Sequence, residues 1–162
     1  NAANKKSRLT RDIALVELDR PVRDGTVTPF EIAPAAKNGE TVGVVSYARF
    51  RSQTASLQET CRVLARQGGV LVTSCDVDFG SSGAPIFSMQ NGRPKIVSVV
   101  SAKAQFRGRK VSVGTSLDGA LDYLMKLASA DRRFFKKADA GDATSILNDI
   151  SETEYVTGKV GR

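Results

Sequence analysis

Apolar residues recur along this chain in short bursts, separated by breaks that are rich in Gly, Asn, Asp and Ser or that carry charge. Residues 13–18 form one such burst, with Glu17 its single polar member. Residues 27–33 form a weaker one, broken by Pro29. Six further runs follow, over 41–48, 57–66, 70–75, 84–88, 95–102 and 111–115. Between the second and third of these lies Arg66-Gln67-Gly68-Gly69, a turn signal with apolar flanks. Asn91-Gly92 is a strong hairpin pair, because both residues tolerate positive φ. Short runs at this spacing predict an all-β sandwich or barrel. The period changes once: Leu117, Ala120, Leu121, Leu124 and Ala128 recur at helical spacing, which predicts a helix over 117–129. Ser116 then sits where an N-cap belongs, and Asp118 suits the positive end of the helix dipole. Beyond Ala130 the composition shifts to a charged stretch around Phe134-Phe135 and a mixed polar stretch with one apolar patch at Ile146-Leu147, so residues 131–162 read as a C-terminal extension.

At 162 residues the chain can bury one core, with room for a second small one. Its 41% hydrophobic and 25% charged content is ordinary for a globular domain. No apolar run approaches the ~18 residues of a membrane span. The net charge of +7 is unevenly spread. Lys5, Lys6, Arg8 and Arg11 crowd the start, and Arg93, Lys95, Lys103, Arg107, Arg109 and Lys110 fill a window without one acid. A basic face raises the question of nucleic acid. Phe106 is the only aromatic in that window, so platforms for base stacking are lacking and the face reads as a solvated surface. The chain contains no histidine, and its two cysteines alone do not suggest a zinc site. No metal or organic cofactor is expected. Cys61 and Cys75 are either free core thiols or one disulfide. A hairpin folded about Gly68 sets them opposite each other, with Cβ atoms about 4.5–5.5 Å apart. That favours the disulfide, and with it an oxidising compartment, secreted or periplasmic.

The sharpest local signal is Gly80-Ser81-Ser82-Gly83-Ala84-Pro85. A serine hydroxyl is a poor nucleophile unless a base takes its proton and donors hold the oxyanion it creates. Flanking glycines let the backbone turn tightly and aim its N–H groups outward. A plain turn between two strands has the same composition. Upstream, Asp12-Ile13-Ala14-Leu15-Val16-Glu17-Leu18 sets an acid at the mouth of an apolar strand. A buried carboxylate there needs a partner, and a catalytic triad supplies one in the histidine that the acid orients.

Taken together, the two segments resemble the chymotrypsin-like serine peptidases, which carry Asp-Ile-Ala-Leu-x-x-Leu and later Gly-Asp-Ser-Gly-Gly-Pro in this order. The resemblance extends over about residues 9 to 130. It implies that residues 36–130 are the second six-stranded antiparallel barrel of a trypsin-like double β-barrel, closed by a C-terminal helix. Residues 1–35 would hold the last strand of the first barrel and the crossover. It implies Ser82 as nucleophile, Asp12 as triad acid, and the N–H groups of Gly80 and Ser82 as oxyanion hole. Asp76, six residues before Ser82, falls where trypsin-like members keep an Asp at the base of the primary specificity pocket, which would favour Arg or Lys in the substrate; Asp78 is its rival. Ser101, in Val99-Val100-Ser101, resembles the serine that lines the substrate backbone. Three residues depart from the pattern. Ser81 stands in place of the aspartate that animal zymogens pair with a new N-terminus, which removes that switch and suits a bacterial member. Ala84 replaces a glycine, and Lys103 stands near a glycine that opens the pocket, which it would narrow.

The missing histidine falls in the part of the first barrel that the resemblance places upstream. The expectation is therefore a serine endopeptidase, acting on protein or peptide substrates, that works with an N-terminal fragment of the same protease carrying the catalytic His. A pseudo-protease that only binds is the alternative. A structural or nucleic-acid-binding β-domain would explain the charge but neither motif.

Overall fold

The computed structural model describes residues 9–23, 25–49 and 53–130. The strands are β1 (Glu31–Ile32), β2 (Thr41–Ser46), β3 (Ser56–Gln67), β4 (Val70–Thr73), β5 (Pro85–Gln90), β6 (Arg93–Phe106) and β7 (Arg109–Ser116), and one helix, α1 (Ala120–Ala130), follows them. Neighbour follows neighbour in the order β6-β5-β2-β3-β4-β7, and β7 pairs back onto β6. The result is a closed six-stranded antiparallel barrel, which leaves no open edge among these strands. Alternation builds its inside: Val42 and Val44 of β2, Val63 of β3, Leu71 of β4, Ile86 of β5 and Val97 of β6 all point into one core. All six runs expected from 41–115 are strands, and α1 occupies most of the helix expected over 117–129. The expected extension over 131–162 lies outside the described residues.

The β3–β4 hairpin shows how the cysteines meet. Gln67 pairs with Val70 across a two-residue turn at Gly68-Gly69, so the turn is centred between the glycines rather than on Gly68. On that register Cys61 would face Asp76. A bulge between Val63 and Ala65 slips β3 by one residue, so that Val63 pairs with Thr73. Cys61 and Cys75 then face each other and form a disulfide, with Cα atoms 5.0 Å apart.

Four expectations are corrected. Residues 13–18 form no strand. A strand exists only through its ladder, and this run has no ladder partner among the described residues. Val16 and Leu18 are accordingly 79% and 63% exposed. The weaker run over 27–33 shrinks to β1, whose Glu31 and Ile32 pair in parallel with Lys95 and Ile96 at the start of β6. Ser116 does not cap the helix. It ends β7, donating its N–H to the Gly69 carbonyl at 2.8 Å, and its hydroxyl accepts the Asp118 N–H at 3.3 Å. Asp118 turns away from the helix as well: its carboxylate accepts the Ala35 N–H at 3.2 Å and an Arg66 guanidinium N–H at 2.9 Å, tying the crossover and β3 to the end of the barrel. Among the described residues, no helix is long and apolar enough to cross a membrane.

Candidate active site

Ser82 stands exposed at the second position of a tight turn. The turn is closed by the Ala84 N–H donating to the Ser81 carbonyl at 3.0 Å. Its third residue, Gly83, has φ +81°, which the type II form requires. The turn is stitched to β6 from both sides: the Gly83 N–H donates to the Val100 carbonyl at 2.7 Å, and the Val100 N–H to the Ala84 carbonyl at 2.8 Å. Just before it, Gly80 has φ +90°, and a Cβ there would lie 3.0 Å from the Arg49 nitrogen and 3.3 Å from the Tyr47 oxygen. Only glycine fits both demands. The N–H groups of Gly80 and Ser82 donate to no acceptor among the described residues, whereas that of Ser81, between them, is taken by the Asp78 carbonyl at 3.0 Å.

Asp12 meets the same strand one residue further on. Its Oδ2 accepts a short hydrogen bond from the Ser101 hydroxyl, across 89 residues of sequence. The acid and the serine-bearing turn thus converge on adjacent positions of β6, Ser101 and Val100. The segment around Asp12 is also tethered through the Leu9 carbonyl, which accepts the Thr115 hydroxyl at 2.7 Å. Asp12 is exposed rather than buried at a strand mouth, because the run it opens is not part of a sheet. The bond from Ser101 has no signature in the sequence: the resemblance gives Ser101 the role of lining the substrate backbone, and two residues so far apart carry no local signal of contact.

Beside the turn lies a largely polar pocket of about 380 Å³. Its inner wall includes the buried Val77 and Ser81, and its rim carries Asp76, Asp78, Lys103 and Lys110. Asp76 was expected at the pocket base. It sits instead at an exposed place on the wall, because the Gln58 side-chain oxygen accepts its N–H at 2.8 Å and keeps that stretch of chain at the surface. Its carboxylate has no hydrogen bond or ion pair among the described residues. The rival Asp78 is occupied: Lys103 Nζ donates to its Oδ1 at 2.9 Å. That bond, then the Phe79 N–H, then the charges of Lys103 and Lys110 hold the Asp78 carboxyl below the usual carboxylate range. The same ammonium lies 5.1 Å from the centroid of the Phe79 ring. Lys103 thus lines the pocket, held there by Asp78. Elsewhere in the basic window Lys95 pairs with Glu31 at 2.5 Å, so two of its cations are matched by acids from outside it. Among the described residues, no three His, Cys, Asp or Glu side chains gather as a metal site would require.

Residues 2–94 match the trypsin-like peptidase domain, and the chain belongs to that family. The match takes in Asp12, the disulfide and the Ser82 turn, and stops short of Ser101.

Proposed function

We propose that this chain carries the nucleophile and the acid of a serine endopeptidase, and that the general base is a histidine on the N-terminal part of the same protease. Ser82 attacks the scissile carbonyl. The histidine takes its proton and returns it to the leaving amine, while Asp12 orients the imidazole and stabilises its charged form. The unpaired N–H groups of Gly80 and Ser82 receive the oxyanion. Asp76, whose carboxylate is unpaired among the described residues, gives the pocket a preference for Arg or Lys. The observation that carries this reading is the attachment of Asp12 and of the Ser82 turn to neighbouring residues of one strand. Val16, Leu18, Val22 and Val27 expose apolar side chains that the histidine-bearing part would cover. The disulfide fits a secreted or periplasmic site of action, and Ser81 in place of an acid fits a bacterial type of enzyme.

Treatment of the native protein with a fluorophosphonate, followed by peptide mapping, tests the assignment. An adduct on Ser82 that Ser82→Ala abolishes is the expected result. A folded sample that includes the histidine-bearing part and takes no label overturns it in favour of a pseudo-protease.

A further inference from the structure

The pocket rim holds two acids and two lysines, and they are not equivalent. Asp78 and Lys103 satisfy each other at 2.9 Å, and Lys103 leans on Phe79 as well. Asp76 is left with a carboxylate that has no partner among the described residues. At the inner wall, the Ser81 hydroxyl is 1% exposed and has no hydrogen-bond partner among the described residues. A buried polar group left unsatisfied costs about 1–3 kcal/mol, so the pocket gains from a guest whose tip can hydrogen-bond there. A cationic guest is attracted by Asp76 but meets the ammonium of Lys103, which already holds the charge of Asp78.

We propose that Lys103 is a specificity-determining residue: its ammonium, paired with Asp78 across the pocket rim, occupies the charge that a substrate Arg or Lys would seek and so tempers selection for basic side chains. The inference rests on the proposed reading of this pocket as the seat of a substrate side chain. In the native protein neutral side chains compete well with basic ones. Removing the ammonium leaves Asp78 with the Phe79 N–H and the charge of Lys110, so that two acids face one lysine and the rim selects for cations.

Benzamidinium, a flat monocation with hydrogen-bonding N–H groups, serves as the probe. Its binding to the 162-residue chain is measured by calorimetry at low salt, where rim charges are least screened. Lys103→Gln should tighten binding about tenfold, equivalent to about 1.4 kcal/mol. Lys103→Arg, which keeps the cation, should bind as the native chain does. Asp76→Asn in the Lys103→Gln background should give back most of the gain, and Ser81→Ala should weaken binding. Unchanged affinity in Lys103→Gln, with Asp76→Asn still weakening the probe, overturns the role of Lys103 and leaves the pocket reading intact. No binding to any variant, each shown to be folded by circular dichroism, overturns the pocket reading itself. In the active enzyme, the ratio of kcat/KM for Arg over Leu substrates should rise in Lys103→Gln and stay unchanged in Lys103→Arg.

Discussion

The barrel and the segment that precedes it are built from similar residues and end in opposite states. Val42, Val63, Leu71 and Ile86 are buried because each belongs to a strand with a neighbour on both sides. Val16 and Leu18 come from a run just as apolar and lie open to solvent, because no ladder among the described residues receives them. What separates the two regions is pairing, not hydrophobicity: a strand buries its side chains only after its N–H and C=O groups have found partners. The candidate site straddles this divide. Ser82 stands on the closed, disulfide-bonded barrel, whereas Asp12 hangs on the unpaired segment and is tied down by Ser101. The nucleophile is therefore held by the fold itself, whereas the acid's carboxylate is fixed to the barrel by a side-chain bond from Ser101.

Three measurements of urea unfolding by circular dichroism sharpen or break this contrast. The largest effect is expected from Leu71→Ala, at a position with 0% exposure. Truncating a core leucine costs about 2–5 kcal/mol, and a loss under 1 kcal/mol would show that the barrel interior is not closely packed. Next comes the replacement of both cysteines by serine. The bridge spans 14 residues, and freeing a loop of that size should lower stability by about 3 kcal/mol. An unchanged midpoint would mean that the hairpin register holds without it. The smallest effect is expected from Leu18→Ala, at 63% exposure. It should stay within about 0.5 kcal/mol of the parent; a core-sized loss would place residues 13–18 in a packed environment and dissolve the contrast.

The sequence made the barrel legible because its strands announce themselves by short apolar runs and turn pairs, and because each finds its partner. The observed strands outrun those runs where charged residues such as Arg93 and Arg109 join a ladder that hydropathy cannot see. The run at 13–18 misled for the complementary reason: its pattern is that of a strand, and pattern does not reveal whether a neighbour is there. Ser116 looked like a cap, but the helix begins only at Ala120, and the serine hydroxyl reaches no further than the Asp118 N–H in the turn between. At the candidate site, Ser82, Gly80 and Asp12 were legible as motifs. The bond from Ser101 to Asp12 and the pairing of Lys103 with Asp78 were not, because they join residues brought together only by the β5–β6–β7 sheet and the loop packed beside it.

The bulge in β3 works as a phase corrector. Successive side chains along a strand point to opposite faces, so one inserted residue reverses inside and outside for everything beyond it. Here that single step brings the two sulfurs together. Leu64 is the inserted residue, so deleting it would restore an unbroken ladder and leave Cys61 opposite Cys75. Closing the bulge with Leu64 retained would instead set Cys61 against Asp76, so the bridge and the bulge hold each other in place.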